Sequence, residues 1–566
     1  MTTSRGAFLL LLTLTSAAHA GHAADTPEIP TENILMVNKD GGAINPDPKN
    51  FKEIKNKREK GDPKNKRGDL DQYIDHMLVG LSRFCEEQRL VQDGKPCKVL
   101  FYFHGGLNSR EASVRRATNL TSEIKEAGIY PIFVNWRSSL WSTWWDHAAH
   151  VHSGFWMDHT TVFAPYVIAA DEVKALADLP VDWIAEARHS FPRKQEAGEV
   201  VLGTYQAMVK EADAGIDVNN LRGTRLTKKL KIPLLLDDRS KPERWLPHGT
   251  LLLTSWSKLL GGPFVVHAGG RGAWDIMQRR TAMLFRTEAE FRRIPPEAVK
   301  EERTGVDTKA PQPVVDEAAE HDTGAALAYF ITRFERDFLP KICRGESYVP
   351  PDPSAIREEA EPQSHEEGSV SCPHRLEITL VGHSMGTIIL DRLLRYAPNL
   401  EVKNIVFMGA ATSVEDYRDT VDAYLDRHRG NGEKGTGTQM YHLVLHPLAE
   451  ATERNAWDFA PRGSLLVWID NYFTDPTTPL GRRVGRFSNV VPELQFAADG
   501  IKKQIHLKVF RMERDLRCSN PRKHGDFGRF PFWDERFWKT DTPMDDTSPV
   551  RRLGKDGQPE PRCQKP

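Results

Sequence analysis

A short block of the chain, residues 98–136, constrains the fold more than any other feature. Residues 99–103 and Ile129–Trp136 are mainly apolar, which is typical of strands covered on both faces. Between them, residues 109–127 have the pattern of a helix ending at Gly128. Two strands joined by such a helical crossover run parallel within one sheet. The alternation returns later, with strands predicted at 376–381, 402–408, 441–446 and 505–510. The sequence therefore predicts an α/β fold, with a mostly parallel sheet flanked by helices.

Residues 138–320 interrupt this alternation, and we interpret them as a large insertion or cap. The segment contains the run 250–268, the most apolar one outside the N-terminus. Lys258 and the following Gly-Gly-Pro argue against a membrane-spanning helix. The run is either a buried cap helix or a lid that lies on a lipid surface. Peripheral membrane contact through the insertion is thus an open alternative.

The N-terminus has the pattern of a secretory signal peptide over residues 1–20. Arg5 precedes a short apolar run, and Ala18-His19-Ala20 matches an A-x-A cleavage site. The protein is therefore expected to be exported, either to the periplasm or fully secreted. The remaining chain divides into an extended arm (21–68), a first part of the core (69–137), the insertion (138–320), a second part of the core (321–540) and a tail (541–566).

Export affects how the cysteines are interpreted. The six cysteines are an even number, and an oxidising compartment favours disulfides. Sequence proximity favours three pairs, although other pairings remain open: Cys85–Cys97, Cys343–Cys372 and Cys518–Cys563.

The overall charge points away from nucleic acid as a partner. The 77 Lys and Arg residues against 78 Asp and Glu give a net charge of −1, so the chain has no strong positive field. A group of histidines near several tryptophans could suggest a metal site, but it lacks a carboxylate–histidine ligand pattern. We interpret this group as the lining of a cap or pocket, and we expect no metal or cofactor. Its members are His147, His150, His152 and His159.

The pentapeptide Gly382-His383-Ser384-Met385-Gly386 lies between the predicted strand EITLV and the predicted helix TIILDRLLR. A Gly-x-Ser-x-Gly sequence in this context indicates a sharp turn that exposes a serine hydroxyl. The flanking glycines let strand and helix approach without a clash, and the helix N-terminus directs free N–H groups at the serine. A serine hydroxyl is a poor nucleophile by itself, so the chain must also supply a base.

These residues resemble the nucleophile elbow of the α/β-hydrolase superfamily, in particular exported bacterial esterases and lipases. Two further stretches support the resemblance: FHGGLNS (103–109) is similar to the family's His-Gly loop, and VNWRSS (134–139) to a following strand end. The resemblance implies an α/β-hydrolase fold with a cap insertion. It further implies that Ser384 is the nucleophile. The backbone N–H of Met385 and one from Gly106 or Leu107 would then bind the oxyanion.

The family order of nucleophile, acid and histidine places the base after the last strand. His506 lies inside that strand and is interpreted as structural, whereas His524 lies in the loop beyond it and is the predicted base. The acid should follow the strand at 441–446, where Glu450 is our first choice. The alternatives left open are Glu453, Asp458, Asp470, Glu415 and Asp416.

Taken with the resemblance, these residues predict a serine hydrolase that cleaves carboxylic esters through an acyl-enzyme. The expected substrate is a small-molecule or lipid ester. Two alternatives remain open, because a fold does not fix a function. One is an acyltransferase or peptidase that uses the same residues, and the other is a non-catalytic surface- or lipid-binding protein on a hydrolase scaffold.

Overall fold

The computed structural model describes part of the chain. The described residues are 29–47, 51–54, 69–91, 95–152, 155–156, 163–190, 262–286, 325–351, 372, 374–430, 437–453, 461, 463–474, 478–510, 518–539, 552–554 and 560. The predicted signal peptide lies outside them, as does most of the predicted tail.

The centre of the fold is a sheet of seven strands in which every neighbouring pair is parallel. The strands are β1 (Ile34–Val37), β2 (Cys97–Phe103), β3 (Ile129–Trp136), β4 (Leu376–His383), β5 (Asn404–Met408), β6 (Gln439–Leu445) and β7 (Ile505–Phe510). Their spatial order is β1-β3-β2-β4-β5-β6-β7. The predicted parallel α/β sheet is therefore confirmed, and β4 lies in its middle.

The helices are α1 (Asp69–Val91), α2 (Arg110–Glu126), α3 (Leu140–Ala149), α4 (Ala164–Ser190), α5 (Gly262–Met283), α6 (Ala326–Arg333), α7 (Leu339–Arg344), α8 (Gly386–Tyr396), α9 (Val414–Tyr417), α10 (Ala423–Arg427), α11 (Pro447–Thr452), α12 (Leu465–Trp468), α13 (Phe487–Phe496), α14 (Asp499–Lys502) and α15 (Glu535–Trp538). Single π-helical turns follow α6, α9 and α12, at Phe334–Phe338, Arg418–Asp422 and Ile469–Phe473. Short 3-10 helices lie at Thr31–Asn33 and His524–Arg529.

Both faces of the sheet are buried, which explains the nearly continuous apolar runs in its strands. Along β2, alternate side chains enter two different cores: Phe101 and Phe103 enter the larger one, Leu100 and Tyr102 the smaller. Helices cover the two faces, so the carboxyl ends of the strands remain as the edge where loops can assemble a site.

Strand β1 differs from the expectation of an extended arm at 21–68. Its sequence ILMV is completely buried and pairs with β3 in parallel register. Asn33, just before it, donates a hydrogen bond to the carbonyl of Pro131 at 2.8 Å. Four consecutive apolar residues gain more from covering the edge of the sheet than from exposure to water.

The described part of 138–320 forms helices α3, α4 and α5 and a small antiparallel pair, Val151–His152 with Phe155–Trp156. A buried ion pair between Arg280 of α5 and Asp146 of α3 joins two of these helices. Arg280 also donates to the carbonyl of Arg137, which directly follows β3, at 3.0 Å. Helix α5 is thereby fixed near the carboxyl end of the sheet. Most of the apolar run 250–268 lies outside the described residues.

Two of the predicted disulfides are present, Cys85–Cys97 and Cys343–Cys372. Cys518 is also disulfide-bonded, and Cys563 lies outside the described residues. Disulfides are consistent with an oxidising, exported location. Within the described segments, no helix combines the length and the apolar character needed to cross a membrane.

Candidate active site

Ser384 occupies the turn between the central strand β4 and helix α8. Its φ of 52° lies in the left-handed region, and Leu107 is the only other non-glycine residue of the described chain with a positive φ. Such a conformation costs on the order of 1–3 kcal/mol and persists only where its surroundings impose it. Here the Ser384 N–H donates to Met408, and its carbonyl accepts from Thr387 and Ala411. The backbone of the serine is thus held from three sides.

Glycines around this turn permit very close backbone contacts. A methyl group added to Gly386 would lie 2.0 Å from the carbonyl oxygen of Phe103, at the end of β2. One added to Gly105 would lie 3.0 Å from Ser384 Cβ and equally close to His383 Nδ1. The glycines on both sides therefore let α8 and the loop after β2 converge on Ser384.

Gly386→Ala is expected to lower the free energy of unfolding by about 3 kcal/mol, because the new methyl group meets a main-chain oxygen that cannot rotate away. Denaturant unfolding followed by circular dichroism measures this effect. Gly525→Ala is the matched control, since a methyl group there meets nothing within 4 Å. Equal stabilities of the two variants would contradict the close approach of α8 to β2.

His524 begins the 3-10 helix in the loop after β7, as the sequence predicted for the base. Its Nε2 lies 2.8 Å from Ser384 Oγ, although the residues are 140 positions apart. Asp526 fixes this loop, because its carboxylate accepts from the N–H groups of Arg522 and Lys523 and pairs with Arg552. The serine and the histidine are therefore in hydrogen-bond contact without any ligand.

Burial, with a smaller contribution from the nearby His383 ring, lowers the pKa of His524 to about 3. The imidazole is therefore neutral at neutral pH and can accept the serine proton at Nε2. A neutral imidazole that accepts at Nε2 carries its proton on Nδ1. No hydrogen-bond partner for Nδ1 occurs among the described residues. This buried N–H lacks the acceptor that a carboxylate would provide.

Glu450, our first choice for the acid, does not contact His524 in the described structure. Its carboxylate instead lies 3.3 Å from Arg486 Nε and 3.4 Å from Ser464 Oγ. The cause is electrostatic: the buried guanidinium of Arg486 needs counter-charges, and Glu450 and Asp470 provide them. The described structure therefore does not bring Glu450 and His524 into contact, and Glu450 as the acid stays an untested prediction.

Glu453, one of the open alternatives, does reach His524. Its Oε2 accepts a hydrogen bond from the main-chain N–H of His524 at 3.0 Å. Burial raises the pKa of Glu453 to about 7. The carboxylate therefore lies beside the histidine, although it contacts the main chain rather than the ring.

Of the other candidates for the acid, two are engaged elsewhere, and Glu415 is exposed in the first turn of α9. Asp470 accepts from Arg486 and Asn489, and Asp416 accepts from Ser413 in the cap of α9. Asp458 lies outside the described residues.

The loop after β2 and the start of α8 present main-chain N–H groups near Ser384. Within the described structure, no acceptor pairs with the N–H of Met385 or of Gly106. Leu107, by contrast, donates its N–H to the carbonyl of Ser138 at 2.8 Å. That hydrogen bond and the positive φ of Leu107, 68°, fix the shape of the loop. The bond also leaves Leu107 without a free main-chain N–H. The N–H of Leu107 is therefore occupied in this structure, whereas those of Gly106 and Met385 are unpaired among the described residues.

The site is covered in this structure. Only 2% of Ser384 is exposed, and Met277 of helix α5 packs in the same core as Met385. A methyl group added to Gly106 would lie 3.4 Å from Met277 Sδ. Ser384 is therefore almost inaccessible to solvent in this structure, and α5 contributes to the packing around the neighbouring loop after β2.

Sequence reasoning did not single out His383, which contacts the carbonyl of His524 at 3.0 Å. His383 directly precedes Ser384 in the sequence, but no sequence pattern connects it with His524, 141 positions away.

Comparison with known protein families, with curated proteins and with solved structures finds no match to this chain.

Proposed function

We propose that the protein is a serine hydrolase of carboxylic esters with an α/β-hydrolase fold. The observation that carries the proposal is the 2.8 Å contact between Ser384 Oγ and His524 Nε2 in a buried turn. The strand order supports it: the serine follows the central strand β4, Glu453 follows β6, and the histidine follows the last strand β7.

In the proposed reaction, Ser384 Oγ attacks the ester carbonyl while its proton moves to His524 Nε2. The N–H groups of Met385 and Gly106 donate hydrogen bonds to the resulting oxyanion. Collapse of this intermediate expels the alcohol, which takes the proton from Nε2. Water, activated by the same nitrogen, then releases the acid from the serine. No metal or cofactor takes part in these steps.

Glu453 is our choice for the acid of the triad. Its carboxylate already contacts His524, whose buried Nδ1–H has no acceptor in the described chain. We propose that the Glu453 carboxylate moves to Nδ1 during the reaction, where its negative charge would stabilise the imidazolium that forms during attack. The raised pKa of Glu453, about 7, means that this charge is complete only above neutral pH.

We assign the described helices of 138–320 to a cap over the serine, because α5 covers this end of the sheet. The Met277 sulfur would lie 3.4 Å from a methyl group added to Gly106, so this helix brings an apolar side chain to the loop after β2, which favours apolar acyl groups or lipid esters. We also propose export of the protein, which the disulfides support.

Labelling with a fluorophosphonate probe tests the proposed nucleophile. Wild type is expected to be labelled and Ser384→Ala to remain unlabelled. Equal labelling of both proteins would refute Ser384 as the nucleophile. Failure to label either protein, in detergent as well as in buffer, would favour a binding protein on a hydrolase scaffold.

A further inference from the structure

His383 is the last residue of β4 and directly precedes the proposed nucleophile. Its side chain is buried, and its Nε2 lies 3.0 Å from the main-chain carbonyl oxygen of His524. A carbonyl can only accept, so His383 donates from Nε2–H. The ring also lies against the loop after β2, since a methyl group added to Gly105 would be 3.0 Å from its Nδ1. His383 thus contacts both the base and the loop that carries an oxyanion donor.

The main chain of His524 is held at both of its polar groups. Its carbonyl accepts from His383, which comes from the end of β4, and its N–H donates to Glu453, which follows α11 beyond β6. These two bonds, one from the end of β4 and one from the segment after α11, fix the position of the residue from which the imidazole projects. A catalytic group must be held within about 0.5 Å of its productive position, and a displacement of 1 Å can cost 10²-fold in rate.

We propose that His383 is a positioning residue for the base, holding the main chain of His524 so that its imidazole stays in reach of Ser384 Oγ. The proposal rests on the proposed hydrolase function. The relevant property of His383 is its N–H donor, rather than its volume or charge.

The His383 ring that donates this hydrogen bond must be neutral. The ring centroids of His383 and His524 are 5.4 Å apart, so a charge on His383 would oppose the imidazolium that forms when His524 takes the serine proton. Burial lowers the pKa of His383 to about 4, so the ring is uncharged at neutral pH. A glutamine places an uncharged amide N–H near the position of Nε2, whereas phenylalanine fills the space without a donor.

The test compares His383→Gln with His383→Phe, using hydrolysis of a p-nitrophenyl ester. His383→Phe is expected to lower kcat by about 10–100-fold with little change in KM, because the base is displaced while the acyl site stays intact. His383→Gln should retain kcat within about threefold of wild type. Thermal unfolding of both variants shows whether either loses stability.

His442→Phe is the matched control. His442 is a buried histidine of β6, two strands away from β4 in the sheet, and its ring packs against Phe407 and Tyr417. Neither of its ring nitrogens has a hydrogen bond among the described residues, so phenylalanine should leave kcat unchanged.

Equal kcat values for the two His383 variants would overturn the positioning role, whether both are active or both are impaired. This failure is distinct from failure of the proposed function, in which wild type itself would neither hydrolyse the ester nor react with the fluorophosphonate.

Discussion

Replacement of His524 by alanine is expected to lower kcat for ester hydrolysis by on the order of 10⁶-fold, about as much as loss of the nucleophile itself. The reason is geometric. Nε2 lies 2.8 Å from Ser384 Oγ, and no other ring nitrogen is in hydrogen-bond contact with this hydroxyl in the described chain. Without the base, the hydroxyl must lose its proton to water inside a buried site. Initial rates with a p-nitrophenyl ester, at high enzyme concentration, measure the loss.

His506→Ala is the matched control for this experiment. His506 lies in β7, where its ring stacks on Tyr441 and its Nε2 is 3.0 Å from Gln439. Its loss should leave kcat within a few fold of wild type, since none of these contacts reaches Ser384. Retention of more than a tenth of the wild-type activity by His524→Ala would contradict the role of His524 as the base.

The second large effect is expected at Glu453. Glu453→Gln keeps an oxygen that can accept from the His524 N–H but removes the negative charge. Because that charge would stabilise the imidazolium, we expect kcat to fall by about 10²–10⁴-fold. Glu450→Gln is the paired variant, and its kcat should stay within about tenfold of wild type because Glu450 contacts Arg486 instead. Steady-state kinetics of the two variants separates the two carboxylates.

The pH profile gives a second readout for Glu453. Burial raises its pKa to about 7, so the carboxylate is protonated below that pH and ionised above it. If the ionised form supports catalysis, wild-type kcat rises with pH through about 7, and Glu453→Gln lacks this rise. A larger loss in Glu450→Gln than in Glu453→Gln would reverse the assignment of the acid.

The sheet and the serine turn could be predicted because each is determined by local sequence. Ile129–Trp136 and Ile505–Phe510 form strands with the predicted bounds, since mainly apolar runs of that length between helical segments are typical of strands buried on both faces. The glycines around Ser384 indicated a sharp turn, and Ser384 does have a left-handed φ. The loop position of His524 followed from the resemblance to a known family order.

The acid could not be chosen from the sequence, because Glu450 and Glu453 are only three residues apart and equally acidic. What separates them is Arg486, a residue distant in sequence whose buried charge attracts one of the two carboxylates. The pairing of the Leu107 N–H could not be predicted for a similar reason. Its N–H is taken by the carbonyl of Ser138 at the end of another strand, a contact that only the folded chain creates. Strand β1 was overlooked because its four apolar residues stand in a polar stretch.

Under the proposed function, the burial of Ser384 would affect every kinetic experiment on this protein. Ser384 is only 2% exposed, so the rate with a soluble ester would then depend on opening of the site as well as on chemistry. Comparisons among variants should therefore be made both with and without detergent micelles. A loss of kcat caused by substitution of Ser384, His524 or Glu453 should persist both with and without micelles.

The central claim is that Ser384 attacks an ester and carries the acyl group. Mass spectrometry of peptides from protein quenched in acid during turnover of a p-nitrophenyl ester tests it most directly. We predict one added acyl group on the peptide that contains Ser384, and none in Ser384→Ala. Turnover of the ester with no acyl group on that peptide, or the same adduct on another residue in both proteins, would contradict the account.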